Sequence, residues 1–182
     1  VKRGSQDFLH AQDLVVALKL VGLRDVPWAY GSLAAAIAMS PSQVHTSVRR
    51  LERCDLFNAS RKETSNRNLL ELLAHGVRFV FPGVVGPLGR GVATASSASP
   101  LDRLLPSGGE RFVWASKVGE NVGHTVDPLV ARVPEMVVAD PGLHELLALV
   151  DAVRIGKARI GKARERAVAV TQLELRLLAD GA

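Results

Sequence analysis

Residues 40–54 read Ser40-Pro41-Ser42-Gln43-Val44-His45-Thr46-Ser47-Val48-Arg49-Arg50-Leu51-Glu52-Arg53-Cys54, and the reading of this stretch decides the fold. Ser is a favoured helix N-cap and Pro a favoured first helical residue, so Ser40-Pro41 closes one helix and opens the next. At about 100° per residue, Val48 and Leu51 fall within about 40° of Val44 and form an apolar stripe. Ser42, Thr46, Arg49 and Arg53 fall within about 50° of the opposite direction, with Gln43, His45 and Arg50 on the flanks. That outward face holds hydroxyls, an amide and guanidiniums, with no acid and no large apolar group, and Glu52 lies to its side. Such side chains suit a DNA major groove, where Gln pairs with adenine, Arg with guanine, and a hydroxyl with either or with phosphate. The positive helix N-terminus at Ser40 favours a phosphate too.

Upstream, Leu14, Val15, Leu18 and Val21 recur at helical spacing and predict a helix over 13–21, stopped by Gly22 and Pro27. A second helix over 30–39 places Leu33 and Ile37 on one face among alanines, and Trp28 and Tyr30 fit as core anchors between the first two helices. The third helix spans 41–54. Downstream, the polar stretch 58–68 carries Arg61, Lys62 and Arg67 and predicts a short hairpin with a cationic tip, after which Asn68 caps a fourth helix bearing Leu69, Leu72, Leu73 and Val77. Three helices, a tight turn and a basic hairpin are the order of a winged helix-turn-helix.

Residues 83–99, rich in Gly, Ala, Ser and Pro, read as a long loop, and 101–134 admit at most one or two short strands. Asp140-Pro141 caps a helix bearing Leu143, Leu146, Leu147, Val150 and Val153, and a last helix runs over 164–178. The expected fold is mainly α with a small β wing: a winged domain over 1–81, an irregular, loop-rich segment over 82–139, and C-terminal helices over 140–182. The pentapeptide Arg154-Ile155-Gly156-Lys157-Ala158 recurs at once as Arg159-Ile160-Gly161-Lys162-Ala163. Five helical residues turn the second copy about 140° from the first, which fits a local duplication better than a binding repeat. In the last helix Ala167, Val170, Leu173 and Leu177, widened by Leu175 and Leu178, form either a dimer seam or a stripe that packs on the chain's own helices.

The 182 residues are 47% hydrophobic and 23% charged, an ordinary globular balance that excludes wholesale disorder and fibrous repeats. The single cysteine, Cys54, cannot form an internal disulfide and reads as a small, buried apolar group, which suits a cytoplasmic setting. No apolar run approaches the roughly 20 residues of a membrane span, and 1–12 lack the apolar stretch of a secretory signal. Charge is uneven along the chain. Residues 1–68 carry ten Lys/Arg against six Asp/Glu, 69–153 six against nine, and 154–166 six against one. Clustered cations in the two basic regions that flank an acidic middle fit either a polyanion partner or a solvated cationic surface.

His10, His45, His75, His124 and His144 lack ligand spacing, so neither a metal nor another cofactor is expected. Gly83, Gly86, Gly89 and Gly91 are followed by no Gly-Lys-Ser/Thr, and Ser96, Ser97 and Ser99 lie in no nucleophile elbow. No catalytic constellation emerges, and the chain reads as a non-enzyme.

The stretch Trp28-Ala29-Tyr30-Gly31-Ser32-Leu33-Ala34, continued by Met39-Ser40-Pro41-Ser42-Gln43-Val44 and Leu51-Glu52, resembles the DNA-binding core of bacterial winged-helix transcription regulators of the MarR-like kind. In that family the Leu-Ala pair sits on the first helix of the helix-turn-helix, and Ser-x-x-x-Val opens the recognition helix. The likeness covers 12–68, and Ala35-Ala36-Ile37-Ala38 departs from it in lacking the polar surface such helices often carry. The remainder resembles uncharacterised bacterial winged-helix proteins encoded beside nucleotidyltransferase-type toxins, which implies an antitoxin-like role. The resemblance implies sequence-specific binding of double-stranded DNA, usually by a homodimer. Ser40, Ser42, Gln43, His45, Thr46, Arg49 and Arg50 are then expected at the major groove, with Arg61, Lys62 and Arg67 on phosphates or in the minor groove. The competing expectation is a protein-interaction module, with the winged helix or the acidic middle as its docking surface.

Overall fold

The structure, a computed structural model, describes residues 8–24, 26–106, 109–155 and 162–178. Its fold is mainly helical with small sheets. The chain divides into two compact units, Val1–Leu69 and Leu70–Ala182, so the boundary falls earlier than the 81/82 position read from the sequence.

The first unit contains α1 (Ala11–Val21), α2 (Tyr30–Ala36) and α3 (Pro41–Arg53), followed by the two-residue strands β1 (Phe57–Asn58) and β2 (Glu63–Thr64). Ser40 caps α3 as its sequence predicts: its Oγ accepts from the Gln43 N–H at 3.2 Å, and Gln43 Oε1 accepts from the Ser40 N–H at 2.9 Å. The core lies where Leu14 and Leu18 of α1 meet Leu33 of α2, Ile37 beyond it, and Val44 and Leu51 of α3, all fully buried. Helix α2 stops three residues before the expected end at Met39. Ala38 there takes φ +50°, and Met39 N–H bonds Ala34 O at 2.9 Å. A left-handed residue that is not glycine leaves no stop signal in a sequence.

β1 and β2 pair antiparallel, Phe57 with Thr64 and Asn58 with Glu63, which puts Arg61 and Lys62 at the turn as expected. Arg67 is not on that hairpin. α4 (Asn66–Glu71) starts two residues before the anticipated cap, Leu69 N–H bonding Ser65 O, so Arg67 and Asn68 are helical. Asn68 instead donates from Nδ2 to Asp55 O at 2.8 Å. The helix continues through a π turn (Leu72–Gly76) into α5 (Val77–Val80).

The second unit overturns the expected long loop at 83–99, because β3 (Val85–Ala93) is the longest strand in the chain's described residues. It pairs antiparallel with both β4 (Phe112–Ala115) and β5 (Asn121–Val126), while β4 and β5 pair parallel, so three strands close on themselves. Such tight closure requires glycine. A Cβ on Gly91 would lie 1.8 Å from Trp114 O, and one on Gly119 would lie 1.9 Å from the Gly91 carbonyl carbon. Short helices α6 (Leu101–Leu104) and α7 (Val133–Met136) lead to α8 (Pro141–Arg154), whose cap is the anticipated Asp140, accepting from Leu143 N–H at 3.0 Å.

α9 (Lys162–Leu178) packs on α8, burying Ala169, Leu173 and Leu177. Of the two readings of this helix, its stripe therefore packs within the chain at Leu173 and Leu177, while Ala167 and Leu175 stay exposed. Most of the pentapeptide repeat lies outside the described residues. Arg176 Nη2 of α9 meets Glu145 Oε2 of α8 at 3.0 Å, and Ser99 Oγ donates to Glu145 Oε1 at 2.7 Å. The Ser99 hydrogen bond, then Arg176, holds the Glu145 carboxyl below the usual carboxylate range. A depressed carboxyl contributes stability that is present above its unfolded pKa and lost as pH falls through the lower folded value. Glu145→Gln should therefore flatten the acid limb of the stability curve, and an unchanged limb in urea melts would remove Glu145 from acid denaturation.

Candidate nucleic-acid interface

The outward face of α3 is built as its periodicity requires. Ser42, Gln43, His45, Thr46 and Arg49 are exposed, while Val44, Val48 and Leu51 are buried beneath them. The hydroxyl of Thr46 donates to Ser42 O at 2.9 Å, leaving its lone pairs outward, and Ser40 and Gln43 spend part of their capacity on each other.

Arg50 is not on this face. It is 5% exposed, and its Nε and Nη2 reach Asp13 Oδ2 and Oδ1 at 2.7 and 2.6 Å. Asp13 is fully buried in the first turn of α1 and also accepts from His10 N–H at 2.8 Å. The Asp13 hydrogen bond raises the Arg50 pKa above its already high value, so the guanidinium stays charged inside the unit. Arg50 is thus a bolt between α1 and α3 and has no reach into a groove. Ser47, buried beside it, takes a hydrogen bond from Gln12 Nε2 at 3.3 Å.

The aromatic anchors are also relocated. Tyr30 is 37% exposed, and Trp28 is half-buried beside the hairpin, its indole N–H donating to Lys62 O at 3.2 Å. Trp28 stands edge-on to Tyr30 at 5.4 Å and to Phe57 at 6.2 Å, while the His45 ring leans on Tyr30 at 5.3 Å. By spacing Tyr30 shares the stripe of Leu33 and Ile37, but it is the first residue of its helix and lies at the edge of the core. Periodicity does not foresee this, since Trp28 precedes the helix and Tyr30 opens it.

Cys54, expected to be buried, is exposed, and partial desolvation with the carboxylates of Asp13 and Asp55 pushes its thiol up, so it is no thiolate at neutral pH. At the hairpin, Lys62 is exposed with φ +55°, and the Arg61 guanidinium makes a solvent-exposed 3.4 Å pair with Glu63, a geometry of little energetic weight. Both cations are therefore available to a polyanion.

Among the described residues no cluster of three or more His, Cys, Asp or Glu could hold a metal, and no helix is long and apolar enough to cross a membrane. Compared with family models, curated proteins and solved structures, the chain matches none.

Proposed function

We propose that the first unit is a winged helix-turn-helix that binds double-stranded DNA, with α3 in the major groove and the β1–β2 hairpin as its wing, and that the chain is a transcriptional regulator and not an enzyme. The observation that carries this reading is the exposed, acid-free face of Ser42, Gln43, Thr46 and Arg49 on a helix clamped from behind by the buried Arg50–Asp13 pair. Rigid mounting of base-reading side chains is what specificity needs, because phosphate contacts position a protein and base contacts select the sequence. Arg61 and Lys62 would take the flanking phosphates. Ser40 and the positive end of α3 would favour another.

The test is binding to duplex DNA at about 50 and 200 mM salt, where a steep decline marks phosphate neutralisation. Arg49→Ala should cost about 1–3 kcal/mol on a selected site, whereas Lys62→Gln should weaken all duplexes alike and lower the salt slope by about one. A footprint untouched by Arg49→Ala takes α3 out of the groove. The proposed homodimer would double these contacts at fixed half-site spacing. Its interface must lie elsewhere than Leu173 and Leu177, which are already buried. Light scattering that finds a monomer at about 10 μM limits the site to one half-site.

A second reading, docking of a protein partner in an antitoxin-like role, is favoured by Leu88 and Val122, which are 68% and 59% exposed on the paired strands β3 and β5. That reading gives no salt-dependent duplex binding.

A further inference from the structure

Between α3 and the hairpin the first unit has a groove of about 460 Å³ whose floor is Val48 and Phe57, both nearly buried. Trp28, Tyr30, His45, Arg49, Glu52 and Lys62 also line it, the indole N–H of Trp28 donating to Lys62 O at 3.2 Å. The volume lies within the roughly 300–1,000 Å³ of small-ligand sites and is far too small for a duplex. A groove of this make-up asks for a ligand of matching chemistry. Trp28, with Tyr30 at 5.4 Å and Phe57 at 6.2 Å from its ring, and with Trp28 and Tyr30 partly open to solvent, asks for a flat aromatic body. Two cations in the same lining, Arg49 and Lys62, ask for an anion attached to that body. The Glu52 carboxylate accepts hydrogen bonds and repels a second anion, so the aromatic body should carry N–H donors.

We propose that this groove binds one unpaired nucleotide, its base lying among Trp28, Tyr30 and Phe57 and its phosphate on Arg49 and Lys62. Amino or imino groups of the base face Glu52. The chemistry is shared by two sources, a free nucleoside monophosphate and a nucleotide within a single-stranded stretch. The site stands independently of duplex binding, but it uses Arg49, so a bound nucleotide and a duplex compete for that guanidinium.

Calorimetric titration of the full chain, without duplex, with guanosine and thymidine monophosphates and separately with a short thymidine oligonucleotide, tests the proposal. Saturable binding of the monophosphates identifies the free source, and binding of the oligonucleotide alone identifies the strand. Ribose 5-phosphate and the unphosphorylated nucleosides should each bind at least about tenfold more weakly, because one lacks stacking and the other the charge. Tyr30→Ala should weaken the nucleotide at least about tenfold with unchanged circular dichroism. Should that variant unfold, Lys62→Gln, an exposed change at the turn, replaces it and should weaken the phosphorylated ligands while leaving the nucleosides unchanged. No saturable heat from either source, or equal affinity for nucleotide and nucleoside, overturns the proposal. Loss of duplex binding with nucleotide binding intact would instead count only against the DNA-reading function.

Discussion

Arg50→Ala should destabilise the first unit by about 3–5 kcal/mol, because it leaves the Asp13 carboxylate buried with no counter-charge. Asp13 is fully buried and takes two hydrogen bonds from Arg50, and the remaining donor, His10 N–H, cannot balance a full charge. Arg49→Ala, one residue earlier and exposed, should change stability by no more than about 0.5 kcal/mol. The pair thus separates two roles that adjacent arginines share on paper. Trp28 is the one tryptophan in this unit, and its emission through a urea melt gives the measurement. Replacing both partners, Asp13→Leu with Arg50→Met, should recover most of the loss, since apolar groups of similar size carry no unpaired charge. An Arg50→Ala protein that melts like the parent would break the bolt and return Arg50 to the groove-facing set.

The same arginine shows how far the sequence was legible. A helical wheel drawn about Val44 assumes a single core direction, and it puts Arg50 about 120° from that direction, on a flank. In the structure α1 covers this flank, and Ser47 and Arg50 are buried against it along with the stripe. The signal was in α1 and not in α3. Asp13 heads a helix that buries Leu14, Val15, Val16, Ala17 and Leu18 in succession, and an acid at the head of a helix buried on nearly every side must find a cation. The cap Ser40, the stripe Val44–Val48–Leu51 and the paired hairpin were readable because each depends on residues within a few positions of one another.

The second unit was illegible for the opposite reason. Strand β3, Val-Gly-Pro-Leu-Gly-Arg-Gly-Val-Ala, contains three glycines and a proline, which locally signify a loop. Its glycines exist for long-range contacts: Gly91 pairs with Ala115 of β4 and with Asn121 of β5, and no side chain fits between them. Close backbone approach between segments 24 and 30 residues away leaves no periodic trace. The cap Asp140 and the apolar positions of α8 remained readable, because they are local.

Arg154→Met should cost the second unit about 3–5 kcal/mol near neutral pH, and the cost should shrink on acidification. Arg154 Nη1 pairs with Asp151 Oδ1, and its Nε donates to Phe81 O at 2.7 Å. Asp151 is 1% exposed, and its other oxygen accepts from Trp114 Nε1 at 2.5 Å and Thr94 Oγ1 at 3.0 Å. Burial holds the Asp151 carboxyl above the usual range even with Arg154 in place, so removing the guanidinium must push it higher still. For an acid whose folded pKa is raised, the folded state binds the proton more tightly than the unfolded one, so stability is gained as pH falls through the folded value and lost as pH rises through it. A protonated Asp151 no longer needs a cation. The difference between parent and Arg154→Met should therefore be largest above the raised pKa of the variant and decline below it. Trp114, fully buried and bonded to Asp151, reports this unit in urea melts taken across the acid range. A Met variant within about 1 kcal/mol of the parent at neutral pH, or a deficit that does not change with pH, would show that the Asp151–Arg154 pair carries no buried charge.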